Sequence, residues 1–261
     1  MSDCGELLAD LTPEARADLA ALAQRMRRAE GPLLKVLNRI GGSVEDQLKV
    51  LPKPVRDSLT QLSAAVLEQV YHGAARLGGS KFLPKGGARL QKLAAIASGM
   101  AGGAGGLGTA IVELPATLGL ILNAMQRVAE AEGLDPRSEE VRLICLDILG
   151  SGGPGTQDDG VNTTFFGARL GLTGTTIQAV ISRIAPRVAT VIGQKLAGQA
   201  VPLFGAMAGA GVNYLFMDYY QEMARIRFAL RRLAAEHGAE VIDEAFRAEM
   251  ALLRTPPTMK A

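Results

Sequence analysis

Apolar residues recur at three- and four-residue intervals along most of the chain, and no stretch alternates apolar with polar residues as a half-buried strand would. The pattern predicts an all-α fold. Thr12, Pro13 and Glu14 supply an N-cap, a first-turn proline and a first-turn acid, which predicts a helix ending before Gly31. Further helices are predicted over about 54–77, 88–100, 110–132, 137–149, 162–171, 175–198, 203–236 and 239–254. Gly78, Gly133 and Gly238 stand where a left-handed residue closes a helix, and Asp135-Pro136 reads as an N-cap followed by a first helical position. The tail TPPTMKA has two prolines and little to bury, and is expected to fray.

The polar run SGGPGTQDDGVN, residues 151–162, predicts a loop, because its glycines, proline and paired aspartates favour turns. It separates an arm of mixed charge from one that has no acidic residue between Gly160 and Met217, while carrying Arg169, Arg183, Arg187 and Lys195. With 261 residues and no repeat of 20 to 50 residues, a single hydrophobic core is expected.

Two stretches are poor in charge. Between Lys92 and Arg127 the sole charged residue is Glu113, and between Lys195 and Asp218 there is none. Each is long enough to cross a bilayer, but Gly, Ala, Gln, Asn and Pro dilute both, and small residues add little to lipid transfer. They read either as central core helices or as a hairpin that lies on, or partly enters, a lipid surface. Gly102 with Gly106, Gly205 with Gly209, and Ala206 with Ala210 place small residues four apart, a spacing that lets helices approach closely.

Three features point toward an interface. Tyr214, Tyr219 and Tyr220 stand where the second apolar run meets the charged segment DYYQEMARIR. Between Ile177 and Lys195, one helix side collects Arg183, Arg187 and Gln194 and the other Ile177, Ile181, Ile184, Val188 and Val191, a basic amphipathic pattern suited to anionic lipid. The third is the acid-free arm itself. Each of these patterns also fits ordinary helix packing. A helix starting near Pro115 would set Glu113 at its N-terminus, where the dipole favours a carboxylate. A helix running through Pro115 would instead place Glu113 and Thr117 on one narrow polar face, with Arg169 a candidate partner.

Composition narrows the chemistry. A net charge of +2 and aromatics at 4% argue against a nucleic-acid partner. Cys4 and Cys145 lie far apart, and with His72 and His237 they cannot form a zinc set, so a reducing compartment and no metal are expected. The start MSDCGELLADL lacks the basic and apolar regions of a secretory signal, which makes the cytoplasm the expected location. Gly103, Gly105 and Gly108 match GxGxxG without the strand that a dinucleotide site needs, and no lysine follows to make a phosphate loop. There is no GxSxG and no HExxH, and Asp158-Asp159 reads as a solvated turn rather than a cation site. No cofactor is expected.

Several ordered blocks resemble the EcsC family of bacterial proteins. They are Glu113, Leu114 and Pro115 ahead of an apolar helix; the DPRSEE helix start; Asp158 and Asp159; and Phe165 and Phe166 before Arg169. The last holds Pro202, Gly205, Gly209 and Asn213, then Asp218, Ala224, Phe228 and Arg231. The likeness spans about residues 45–235 and divides the chain into an N-terminal helical extension at 1–44, a principal helical domain at 45–236 and a C-terminal helix and tail at 237–261. The resemblance implies a helical, glycine-rich, non-enzymatic accessory protein, peripherally attached to the inner face of the membrane and linked to transport or secretion. Its expected partner is an anionic lipid or apolar ligand, with a membrane transporter beside it. Arg169, Arg183, Arg187, Lys195, Tyr214, Tyr219 and Tyr220 are the expected lipid-facing set. A soluble protein-interaction module whose apolar helices form the core is the alternative, as is an enzyme built on Glu113, Asp158, Arg169, Asn213 and Asp218.

Overall fold

The computed structural model describes residues 11–37, 43–77, 106–150, 177–200 and 205–254. All regular structure among them is helical: α1 (Pro13–Leu37), α2 (Val44–Lys49), α3 (Lys53–Asp57), α4 (Leu59–Leu77), α5 (Gly106–Ala131), α6 (Glu139–Gly150), α7 (Ile177–Ala200), α8 (Gly205–His237) and α9 (Ala239–Arg254). The helices predicted at 88–100 and 162–171, the loop at 151–162, Gly78 and the tail lie outside the described residues.

Local signals set most helix ends. Thr12 Oγ1 accepts the Ala15 N–H at 3.2 Å and caps α1 as expected. Gly133 has φ +78°, with Gly133 N–H donating to Glu130 O and Leu134 N–H to Ala129 O, the paired bonds of a Schellman closure. Gly238 has φ +94° and donates to Ala234 O, closing α8 by the simpler left-handed motif. The cap of α6 differs from expectation. Asp135 Oδ1 accepts the Arg137 N–H to form a turn, and Ser138 Oγ then accepts the Val141 N–H, so the helix opens three residues later than Asp135-Pro136 suggested.

Three helices continue through an internal proline. α1 passes Gly31 and Pro32 to reach Leu37, α5 contains Pro115 and α7 contains Pro186. Pro32 and Pro186 are exposed and Pro115 is half-buried, so water can replace the helical hydrogen bond that each removes. The predicted helix at 54–77 is broken at Ser58, whose hydroxyl donates to Pro54 O at 2.9 Å while its N–H bonds Val55 O. The short α2 was not anticipated. Ser43 caps it, its hydroxyl accepting the Asp46 N–H and donating to the Asp46 carboxylate at 2.7 Å.

One core joins these elements. α8 packs against α1, α5 and α9, and α7 against α4, α5, α2 and α6; α5 touches both groups, and α7 and α8 also meet directly. Leu114, Met125, Leu146, Ile148, Phe216, Tyr220 and Phe228 are among its largest buried side chains. Among the described residues, close helix approach occurs at two glycines. A Cβ on Gly150 would come within 2.7 Å of Ile184 Cβ, and one on Gly193 would collide with Leu48. Cys145 is buried in α6, and burial pushes its thiol up to about 12. Among the described residues, no helix is long and apolar enough to cross a membrane.

Candidate functional site

The first half of α7 has the amphipathic character expected of it. Val180, Ile181, Ile184, Ala185, Val188 and Ala189 are buried, whereas Gln178, Ala179, Ser182, Arg183 and Pro186 are exposed and Arg187 and Thr190 half-buried. The outward stripe therefore carries two arginines and no acid. In the second half, every residue from Val191 to Ala197 is buried. Gln194 and Lys195, expected on the outer side, are 1% and 5% exposed. Neighbours on several sides explain this: Leu48 and Leu59 crowd Gly193, and the Lys195 Nζ donates to Thr117 Oγ1 of α5 at 3.2 Å. A buried ammonium needs such oxygen partners, and Lys195 is withdrawn from any surface role in this fold.

The tyrosines divide in the same way. Tyr214 is exposed, but Tyr219 and Tyr220 are core residues, 3% and 0% exposed. The Tyr219 and Tyr220 rings meet edge to face at 5.2 Å, and Phe216 stacks on Tyr220 at 6.4 Å. Burial, reinforced by Tyr219, holds the Tyr220 hydroxyl well above its ordinary range. These two rings do not form an interfacial belt, because α8 at this level is enclosed by its neighbours.

The remaining motif positions scatter. α5 begins at Gly106, so Glu113 does not stand at a helix N-terminus; residue 113 precedes buried Thr117 by one turn, on the same helix face. Pro115 is half-buried, Asn213 is buried, Asp218 half-buried, and Gly205 is the first residue of α8. Arg231 donates from Nε at 2.9 Å and Nη2 at 2.8 Å to Glu140 Oε1, tying α8 to α6. Asp158, Asp159, Arg169 and Pro202 lie outside the described residues. Among the described residues, no cluster of His, Cys, Asp or Glu is placed to hold a metal.

Sequence reading missed two charged assemblies on α8. Glu222 accepts from Arg25 Nε of α1 at 2.6 Å and from Arg225 at 3.0 Å. Burial pushes the Glu222 carboxyl up, but the two guanidinium hydrogen bonds outweigh it and hold the group below its ordinary range. The second is Arg227, 4% exposed, which interacts electrostatically with Asp147 of α6, with Tyr219 of its own helix and with Asp243 of α9. Burial lowers its pKa, and those neighbours oppose the shift. Burial likewise raises Asp243, against the pull of Arg247, 2.6 Å away, and of Arg227. The signal was present in Arg225-Ile226-Arg227. Residues two apart lie on nearly opposite sides of a helix, so an enclosed helix must turn one of the two arginines inward.

The family model of the EcsC protein family matches residues 16–233, which takes in most of α1, part of the segment set aside above as an extension. No curated protein and no solved structure matches. The match covers most of the chain and agrees with the blocks read from the sequence: this chain belongs to the EcsC protein family.

Proposed function

We propose that this chain is a non-enzymatic accessory protein that adsorbs to the anionic inner face of a membrane through the outer stripe of α7, beside a transport or secretion partner. The observation that carries the reading is that stripe: exposed Arg183, with half-buried Arg187 one turn on, stands within an arm whose sequence holds no acid from Gly160 to Met217. Arg169 belongs to the same arm and would add to the attraction. Among the described residues, most apolar side chains of α5 and α7 are buried in the core, which favours attachment by charge over insertion. Each basic residue near an anionic surface contributes about 1 kcal/mol, so binding is weak and reversible.

The test is sedimentation with neutral and with anionic vesicles at low and high salt. The proposal expects binding to anionic vesicles alone, reversed by salt, and loss of that binding in Arg183→Glu/Arg187→Glu with the helical circular dichroism unchanged. Salt-resistant binding would point to inserted helices and overturn it. Absence of binding to either vesicle would favour the soluble interaction module.

A further inference from the structure

We propose that α9 is an exchangeable arm and that the trough it fills, between α1 and α8, accepts the α9 of a second copy of this chain. The junction of α8 and α9 is one residue long. Gly238 donates its N–H to Ala234 O at the end of α8 and accepts the Ile242 N–H at 3.2 Å to begin α9. The two helices thus share one peptide hinge, set by a single left-handed φ of +94°. Rotation of Gly238 to helical angles would merge α8 and α9 into one helix about 75 Å long, adding the backbone bonds that span the junction and carrying α9 away from its own trough.

What the vacated trough would then accept is already specified. α9 is held by Ile242, Ala245, Phe246 and Met250, all buried, while its outer side exposes Glu244, Arg247 and Leu252. Half-buried Asp243 adds to the attraction that Asp147 of α6 already exerts on buried Arg227 of α8, so an occupant with a carboxylate at that point is favoured. A second copy brings the same apolar spacing with the same carboxylate, and it reuses contacts that the monomer already makes, so no new interface has to be built. The family match ends at residue 233, before the hinge, so the arm is an addition to the part of the chain matched by the family.

Gly238→Ala tests the hinge. The added Cβ meets nothing nearer than Val241 Cγ2 at 4.0 Å, so the substitution penalises the left-handed backbone without a clash. About tenfold of bias against the bent junction is expected in each copy, hence about a hundredfold rise in the dimer association constant, read by light scattering across a concentration series. Gly238→Asn, which tolerates the left-handed region, should stay near wild type. Gly238→Ala/Phe246→Ala loses the same buried ring from the closed monomer and from the exchanged dimer, so its association constant should stay near that of Gly238→Ala. A monomeric, helical Gly238→Ala at every concentration would overturn the proposal, and so would a dimer constant that Phe246→Ala lowers tenfold or more, which would place that ring in an interface absent from the monomer. Should Gly238→Ala fail to fold, wild-type chain partly unfolded at high concentration and returned to buffer should trap a dimer; recovery of monomer alone would overturn it.

Discussion

Arg183 and Lys195 occupy the same helix three turns apart, and they behave oppositely. Arg183 stands in water on the stripe of α7 that has an outside, whereas Lys195 is enclosed and hydrogen-bonded to Thr117. Their chemistry is similar and their sequence settings are similar. What differs is the enclosure at each level: from Val191 to Ala197, α7 has no solvent side. A cation on the first half is available for an external surface, while a cation on the second is part of the packing and has to be satisfied internally.

The largest expected effect sharpens this contrast at the buried end. Lys195→Ala removes a side chain that fills core volume and bonds Thr117, and should lower unfolding stability by about 3 kcal/mol in a urea titration. A loss below about 1 kcal/mol would mean that the second half of α7 is more open than described. A smaller effect is expected at the Arg25–Glu222–Arg225 clasp, where partial exposure screens the charges; Glu222→Gln should cost about 1 kcal/mol at neutral pH. Because the Glu222 pKa is held low, the folded chain binds fewer protons there than the unfolded chain, and its stabilisation is lost as pH falls from the ordinary carboxylate range through the lower pKa of the folded chain. Glu222→Gln should flatten that part of the pH profile. Asp243 works in the opposite direction: its pKa is raised, so acidification from neutral favours the folded form at that group. The smallest effect belongs to Arg183→Ala, expected within about 0.5 kcal/mol of wild type. A substantial loss there would show that the stripe is structural rather than available for binding.

The helical class and the left-handed closures at Gly133 and Gly238 were legible, because period and glycine position are local properties. The limits of α9 were predicted at 239–254 and found at Ala239–Arg254. The passage of α1 through Pro32 was not legible, whereas a helix running through Pro115 was one of two readings open there: the cost of a proline is local, while what offsets it comes from packing of the flanking turns. The candidate site divides on the same line. Periodicity identified the buried and exposed sides of the first half of α7, a two-body distinction between helix and water. Lys195, Tyr219 and Tyr220 became interior through contacts with helices distant in sequence, and Arg227 through acids supplied by α6 and α9.

The inert thiol of Cys145 makes the molecule its own stopwatch. A thiol held at about 12 and buried in α6 can react with an alkylating reagent only while the surrounding core is parted. With Cys4 replaced by Ser, the rate of label uptake counts those partings directly, and any ligand, membrane or second copy that closes the core further will be recorded as a slower clock.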